Sequence, residues 1–285
     1  MELFLDCMPC MHRQVLEAAR TATTDEACQA RIMDRVALTL ARREEFASAP
    51  AMAQAMHAIV RTETGVPDPY EAVKRRDLEA ALSLESLLWE FADGADDPLR
   101  TALKVAATGN VMDSAIYSNL DIAACITEEL ERPFARCDLA ELTADLATAR
   151  RVLVLGDNTG ETVFDKVLLA ALAAGGRELV YAVRERPIIN DATLAEAREA
   201  GMDAYATLVS SGSAAPGTIL EDCTPEFREL FRDADVVISK GQGNFESLSA
   251  PGRPVYLLLK AKCALVARRL GTDVGDYVLI RRDLD

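Results

Sequence analysis

The sequence has few histidines and no long apolar run, and each shortage excludes a class of protein. Its two histidines, His12 and His57, fall in the part of the chain where only helices are expected. That placement argues against a histidine-based catalytic triad in the later α/β part. No apolar run approaches the ~20 residues that a membrane span requires. Met1 to Cys10 contain neither a basic segment nor a cleavage site, so we expect no secretion signal.

Basic residues are also scarce. The chain has 31 lysines and arginines against 46 aspartates and glutamates, which gives a formal net charge of −15. Such a chain repels polyanions, so we expect neither nucleic acid nor an anionic membrane surface as a partner. An anionic ligand would need cationic side chains close to it to overcome this field.

The seven cysteines form no disulfide pattern, because their number is odd and they are widely scattered. We therefore expect a cytoplasmic protein with reduced thiols. Cys7 and Cys10 form a Cys-x-x-Cys pair, which could bind a metal or act in redox chemistry. A zinc site usually needs two further ligands, which Cys263 or His12 could supply. The alternative is that Cys7 and Cys10 are two reduced thiols near the start of the helical part.

The chain is long enough for two domains, with 285 residues of which 50% are apolar. The spacing of apolar residues predicts helices only before Arg151, and alternating strands and helices after it. We expect an all-helical domain over residues 1–108 and an α/β domain over residues 109–285, in which 109–150 form a helical lead-in. The alternation predicts a mainly parallel sheet with helices on both faces.

The stretch from Arg151 to Glu161 carries the clearest functional pattern. Val152 to Leu155 form an apolar run, which predicts a strand buried on both faces. Asp157 and Asn158 come soon after it, and ligands of parallel sheets bind beyond the carboxyl ends of the strands. A carboxylate and an amide oxygen at this place suit Mg²⁺, Mn²⁺ or a similar hard cation.

Two further strand ends have polar turns of the same kind, Arg184 to Asp191 and Lys240 to Glu246, and Lys262 follows a fourth strand. In a parallel sheet these ends share one edge, so acids, amides and lysines should converge there. The acids would bind a cation, while lysines and backbone N–H groups freed by glycines would bind an anion. A cation site beside an anion site indicates phosphoryl chemistry.

Each of these residues also has an ordinary explanation. Asp157 and Asn190 could simply cap the helices that follow them, and Lys240-Gly-Gln-Gly could be a plain turn. The repetition of polar turns at successive strand ends favours function. The common motifs are missing, since Gly156-x-x-x-Gly160 fits neither a Walker A loop nor the dinucleotide fingerprint, and Ser211-Gly-Ser213 is no nucleophile elbow.

Taken together, the turns resemble those of the metal-dependent damage-control phosphatases, a family long classified as a domain of unknown function. The resemblance covers nearly the whole chain and rests on these residues: Gly156-Asp-Asn-Thr-Gly-Glu161, Asn190-Asp191, Lys240-Gly-Gln-Gly-Asn244, Lys262, Gly109-Asn110 with Asp113, and Cys7-x-x-Cys10. The cysteine pair resembles the short prokaryotic branch of the family.

The resemblance implies a helical domain beside a Rossmann-like α/β domain. It implies removal of phosphate from small phosphorylated metabolites, often damaged or side-product ones. It also implies that Asp157, Asn158 and Asp191 hold a divalent metal (manganese, cobalt, nickel or magnesium) and carry the catalysis. The residues expected around the substrate are Glu161, Asn190, Lys240, Gly241, Gly243, Asn244 and Lys262.

Asp157 is then either a metal ligand only or also the nucleophile or the base for water. Two other functions stay open: an S-adenosylmethionine-dependent methyltransferase acting on acidic side chains, and a non-catalytic regulator that binds a metal or a nucleotide. The methyltransferase reading lacks a glycine-rich adenosine-binding loop after the first strand. Turnover of a phosphate ester would separate the phosphatase from both alternatives.

Overall fold

The first part of the chain is helical, as predicted. The computed structural model describes residues 3–111, 121–248 and 251–283. The α-helices before residue 109 are α1 (Cys7–Ala22), α2 (Glu26–Ala41), α3 (Ala49–Thr64), α4 (Glu71–Ser83), α5 (Glu85–Asp93) and α6 (Pro98–Thr108). The side chains of Asp25, Ser48 and Asp97 cap α2, α3 and α6 by accepting bonds from backbone N–H groups.

The segment before Arg151 also contains a strand, so the expectation of helices only is wrong there. After α7 (Ile122–Glu131) the chain forms β1 (Phe134–Cys137), which α8 (Leu139–Leu146) follows. The two middle residues of β1 are exposed, because β1 lies at the edge of the sheet. It therefore lacks the apolar run that marks the other strands. The predicted helix from Asp113 to Glu131 is described only from residue 121 onward.

The remaining strands and helices alternate, as predicted. They are β2 (Arg151–Leu155), α9 (Glu161–Ala173), β3 (Glu178–Val183), α10 (Leu194–Glu199), β4 (Thr207–Ser210), α11 (Pro225–Asp233), β5 (Val236–Lys240), α12 (Gln242–Ser247), β6 (Val255–Lys260), α13 (Ala264–Leu270) and β7 (Tyr277–Arg282). The short helix α12 begins inside the segment after β5 that was predicted to be a turn.

The strands form one sheet in the order β1-β7-β6-β5-β2-β3-β4. Neighbouring strands are parallel except β6 and β7, which are antiparallel. The prediction of a mainly parallel, Rossmann-like sheet is therefore confirmed. From β2 the chain extends through β3 and β4 on one side, and through β5 and β6 on the other. Such a reversal forms a crevice beyond the carboxyl ends of the two central strands, where the residues that follow β2 and β5 meet.

Three groups of buried apolar side chains hold these elements together. One joins α4, α5, α6 and α9 to one face of the sheet, and a second lies between the opposite face and helices α11 and α13. The third lies among α1, α2 and α3. The predicted domain division at residue 108 separates segments that share the first core, and it stays a prediction. In the described ranges, no helix combines the length and the apolar character needed to cross a membrane.

Candidate active site

Backbone hydrogen bonds join the turn after β2 to the turn after β3. The N–H of Ala192 donates to the carbonyl oxygen of Asp157 at 2.9 Å. Asn158 and Asp191 face each other in an isolated antiparallel bridge. The three residues that the resemblance assigns to a metal are therefore neighbours, although Asp191 lies more than thirty residues after Asp157 and Asn158 in the sequence.

Arg184 lies beside both aspartates and fixes their relative position. Its side chain is 1% exposed. Its Nε donates to Asp191 Oδ2 at 2.7 Å, and its Nη2 lies 3.5 Å from Asp157 Oδ1. Its Nη1 donates to Thr218 Oγ1 and to Asn244 Oδ1, both at 3.3 Å. Because the guanidinium donors lie in one rigid plane, these bonds together orient the two carboxylates.

Glu161, the first residue of α9, connects three polar side chains. Its Oε1 accepts bonds from Asn110 Nδ2 at 2.7 Å and from Asn158 Nδ2 at 3.1 Å, and its Oε2 accepts one from Lys240 Nζ at 2.8 Å. The bond to Asn158 turns the amide nitrogen of Asn158 toward the interior. The amide oxygen consequently lies at the opposite end of the group, where it can accept a ligand.

Lys240, the last residue of β5, is 1% exposed. Its Nζ lies 2.8 Å from Glu161 Oε2 and 2.8 Å from Asp165 Oδ1. Burial alone would lower the pKa of Lys240, but Asp165 and Glu161 raise it above its usual value. The ammonium is thus held between two carboxylates. Contact between Lys240 and a substrate phosphate stays a prediction, and it would require the ammonium to leave one of these partners.

Replacing Lys240 by methionine should strongly destabilise the protein. Glu161 and Asp165 would lose their shared cation, and breaking a buried ion pair by removing one partner typically costs ~3–5 kcal/mol. Arg75→Met is the control, because Arg75 and its partner Glu71 are 61% and 70% exposed and an exposed pair contributes ~0–1 kcal/mol. Urea denaturation followed by circular dichroism measures both variants. Equal midpoints would contradict the structural role of Lys240.

The buried charges beside the crevice between β2 and β5 do not balance. Among the described residues, this cluster contains two cations and four carboxylates: Arg184, Lys240, Asp157, Glu161, Asp165 and Asp191. Burial raises the pKa of Asp157 well above its usual value, and the charges of Glu161 and Asp191 raise it further. Burial also raises the pKa of Asp191, against the opposite effect of Arg184. A bound divalent cation would compensate the two excess negative charges.

A cavity of about 670 Å³ opens beside this cluster. The predicted site residues that line it are Asp157, Asn158, Asn190, Asp191, Gly243 and Lys262. Lys262 is exposed, and among the described residues it has no ion-pair partner. Its charge opposes the effect of burial on the pKa of Asp157 and of Asp191, which places the ammonium near both carboxylates. The cavity wall thus has carboxylates that could bind a cation and, close to them, an ammonium group that could bind an anion.

The other predicted substrate residues lie deeper. Glu161 and Lys240 are bonded to each other, as described above. Asn244 is fully buried, and its Nδ2 donates to the carbonyl oxygens of Gly156 at 3.2 Å and Lys240 at 2.8 Å. It therefore ties the turn after β2 to the turn after β5. The backbone of Gly241 packs directly against the carboxylate of Asp157.

Replacing Gly241 by alanine should displace Asp157. Gly241 has a φ of +81°, and a Cβ at this position would overlap the Asp157 carboxylate. A displacement of about 1 Å at an active site can cost ~10²-fold in activity, so we expect phosphate release to fall by about that factor. Gly65→Ala is the control, because Gly65 has a φ of +71° but open space around it. The idea fails if both variants lose activity to the same extent.

Sequence reasoning did not select Arg184 or Asp165 as site residues. Arg184 directly follows the buried strand β3, so the strand-end argument used for Asp157 could have identified it. Asp165 lies four residues after Glu161 on α9, and residues at this spacing share one face of a helix. Two acidic residues on a helix face that packs against the sheet could therefore have indicated that Asp165 belongs to the site.

The donor set fits a hard divalent cation. Asp157, Asn158 and Asp191 all line the cavity and offer carboxylate and amide oxygens, which such cations prefer. The described residues contain no group of three histidine, cysteine, aspartate or glutamate side chains arranged to hold a metal. The site therefore has two carboxylates with an amide, and water would have to complete the coordination.

Residues 3–278 match the family model of the damage-control phosphatase ARMT1-like domain. The chain belongs to the damage-control phosphatase family. It is 34% identical to a damage-control phosphatase of Archaeoglobus fulgidus over 95% of this chain and 96% of that protein. It is 32% identical to a damage-control phosphatase of Pyrococcus horikoshii over 99% of this chain and 98% of that protein. The family indicated by the strand-end turns is confirmed.

The fold comparison agrees with this membership. The crystal structure of a DUF89 family protein from Pyrococcus horikoshii superposes with a TM-score of 0.90 at 30% identity, and the match covers 99% of both chains. The damage-control phosphatase fold thus extends over the helical part as well as the sheet. The residues assigned to the metal and the substrate stay predictions.

Proposed function

We propose that the protein hydrolyses phosphate monoesters of small metabolites with the help of a divalent cation. Its family and the names of its relatives support phosphatase chemistry. The observation that carries the proposal is the uncompensated negative charge of the Asp157 cluster, which borders the same cavity as Lys262. A phosphate ester needs a cation and a positively charged side chain within one small space, and this cavity offers both.

Asp157, Asn158 and Asp191 are the proposed ligands of the cation, with manganese, cobalt, nickel and magnesium as the candidates. Bound there, a divalent cation would polarise the phosphoryl group and neutralise part of its charge. Arg184 holds the two aspartates in place through its bonds to Asp191 and Asp157. Such outer partners typically matter by ~10–100-fold in metal affinity or activity.

Lys262 is the proposed contact to the phosphate oxygens. It is the exposed lysine on the cavity wall, whereas the ammonium of Lys240 is held by Glu161 and Asp165. The proposed role of Lys240 is therefore to hold the carboxylate of Glu161 in place, and through Glu161 to keep the amide of Asn158 in its orientation. Of the two lysines at neighbouring strand ends, Lys262 would thus bind the substrate, and Lys240 would stabilise the site around it.

The size and lining of the cavity favour a small substrate. Its volume of about 670 Å³ lies within the ~300–1,000 Å³ typical of small-molecule sites. Met11 of α1 with Ala49, Pro50 and Ala53 of α3 add an apolar wall. Because α1 and α3 supply this wall, the helical part would select the body of the substrate while the sheet edge binds its phosphate.

The test is release of inorganic phosphate from p-nitrophenyl phosphate and from a panel of sugar and cofactor-precursor phosphates. The protein is first stripped with EDTA and then supplied with Mn²⁺, Co²⁺, Ni²⁺ or Mg²⁺ singly. We expect no turnover after stripping and recovery with at least one cation. Full turnover by the stripped protein would refute the dependence on a cation.

The alternative functions appear as distinct outcomes of the same experiments. Binding of S-adenosylmethionine by calorimetry, without phosphate release from any ester, would favour the methyltransferase. Cation binding without turnover of the panel would favour the non-catalytic regulator. A cation and an anion in one cavity would suit a regulator as well as a phosphatase, and the phosphatase is favoured by the family and by the names of the relatives. The methyltransferase is disfavoured because no glycine-rich adenosine-binding loop follows β2.

A further inference from the structure

Three of the seven cysteines line the same cavity as Asp157 and Asp191. Cys7 and Cys10 come from the first turn of α1, and Cys263 directly follows Lys262. All three are reduced thiols. The proposed phosphatase mechanism uses none of them, although they face the space that the substrate would occupy.

The position of Cys7 and Cys10 suits a disulfide. Residues three apart on a helix have Cβ atoms ~5–6 Å apart, and a disulfide brings Cβ atoms to ~3.8 Å. Closing the bond therefore requires only that the first turn of α1 tighten, without movement of the rest of the helix. A Cys-x-x-Cys pair at the start of a helix is also where redox-active thiols commonly occur.

The two thiols differ in exposure. Cys10 is exposed, whereas Cys7 is half-buried, so an oxidant in solution reaches Cys10 first. Burial raises the pKa of Cys7, and the nearby charge of Glu246 raises it further. Cys7 is therefore suited to the second step, because attack on a neighbouring sulfur is intramolecular and gains from proximity.

We propose that Cys7 and Cys10 form a reversible disulfide that controls substrate binding in the cavity. The oxidant is a low-molecular-weight disulfide such as oxidised glutathione. The thiolate of Cys10 attacks one sulfur of it and releases one glutathione thiolate; the thiolate of Cys7 then attacks Cys10 Sγ and releases the second. Two electrons pass from the pair to the oxidant, and the two thiol protons are taken up by the departing glutathione thiolates.

The disulfide would affect substrate binding through the residues that lie next to Cys7 and Cys10. Tightening the first turn moves Asp6 and Cys7, which line the cavity. Cys263 on the same cavity accepts a weak bond from Gln242 Nε2 at 3.8 Å, and Gln242 Oε1 accepts one from the N–H of Lys262 at 3.0 Å. The disulfide would thus reshape the cavity next to the residue that is proposed to bind phosphate. This effect on turnover rests on the proposed phosphatase function; formation of the disulfide does not.

A closed zinc site is the less favoured use of these thiols. Structural zinc takes four ligands, and among the described residues no three cysteine, histidine or acidic side chains are arranged to hold a metal. The thiols are close enough for a two-sulfur bond within one helical turn, and the exposure of Cys10 allows an oxidant to reach them.

The experiment oxidises the full-length protein with glutathione buffers of increasing oxidised fraction, and then alkylates the remaining thiols with N-ethylmaleimide. We expect intact-mass spectra to show two alkylations fewer than the reduced protein, peptide mapping to join Cys7 to Cys10, and dithiothreitol to reverse both. The KM for p-nitrophenyl phosphate should rise about tenfold, since small displacements near a site can cost up to ~10²-fold. The alkylation rate of Cys263 should change as well, which reports on the cavity without turnover.

Three variants separate the outcomes. Cys7→Ser should trap glutathione on Cys10, and Cys263→Ser should still form the Cys7–Cys10 bond. Cys125→Ser is the control, because Cys125 is partly exposed and does not line the cavity. Failure of Cys7 and Cys10 to join under buffers that oxidise thioredoxin-like pairs would overturn the proposal, as would stoichiometric zinc that protects both from alkylation. Disulfide formation that changes neither KM nor the Cys263 rate would overturn the controlling role. Disulfide formation with an altered Cys263 rate in a protein without turnover supports the redox site and refutes the phosphatase.

Discussion

Replacing Asp157 by asparagine should lower phosphate release by about 10²-fold or more, because groups that merely orient a metal ligand already contribute ~10–100-fold. Asparagine keeps the size of the side chain and an oxygen that can accept the contact from Arg184 Nη2. It removes one of the charges that a divalent cation would neutralise. Asp93→Asn is the charge-matched control, since Asp93 is exposed at the end of α5.

The same substitution should not harm the fold, and this separates a functional residue from a structural one. Burial and the charges of Glu161 and Asp191 raise the pKa of Asp157, so without a cation its charged form is unfavourable in the folded state. We therefore expect Asp157→Asn to be as stable as the cation-free wild type or more stable, in line with the usual trade-off between activity and stability.

Addition of the cation should reverse that order. A ligand that binds only the folded state stabilises it by ~2.7 kcal/mol at one hundred times its dissociation constant. Wild type should show this gain in thermal unfolding with Mn²⁺, and Asp157→Asn should show little of it. A variant that keeps both its turnover and its stabilisation by Mn²⁺ would refute the assignment of Asp157 as a ligand.

The sequence was sufficient to predict that the turns after β2, β3 and β5 lie near one another. β2, β3 and β5 are buried runs with little polar content, so their ends were easy to recognise, and a parallel sheet places all of those ends on one edge. The reversal of strand order between β2 and β5 was not visible in the sequence. It explains why the turns of Asp157 and Gly241 touch each other rather than merely share an edge.

The sequence could not separate Lys240 from Lys262. Both follow buried strands, and both looked equally suited to bind an anion. The difference lies in α9, whose acids Glu161 and Asp165 face Lys240 at 2.8 Å, while no comparable acid faces Lys262 among the described residues. Which face of a helix meets which strand end depends on packing between distant segments, and an apolar pattern alone does not encode it. The edge strand β1 was missed for a related reason, since only two of its residues are partly buried.

Replacing Lys262 by glutamine should lower kcat/KM by about 10²-fold, the lower end of the ~10²–10³-fold that loss of one oxyanion donor typically costs. The lower end is expected because Lys262 is exposed, and water weakens its interaction with a phosphate oxygen. The protein carries a net charge of −15, and Asp157 and Asp191 line the same cavity. Without Lys262, a phosphate dianion would therefore meet a wall of predominantly negative charge. Inhibition by inorganic phosphate should weaken in parallel, because the product binds through the same contact.

Cation affinity should change far less in Lys262→Gln than in Asp157→Asn, and folding should stay intact, unlike in Lys240→Met. Arg269→Gln is the matched control, since Arg269 is exposed on α13 and stacks on Phe4 at 5.3 Å rather than lining the cavity. Lys74 and Lys104 are unsuitable as controls because both are buried, and their removal would disturb the fold.

Lys262→Arg should recover part of the lost kcat/KM, since a guanidinium also binds phosphate oxygens. If Lys262→Gln and Arg269→Gln lower kcat/KM equally, the effect comes from overall charge, and Lys262 makes no specific contact with the substrate.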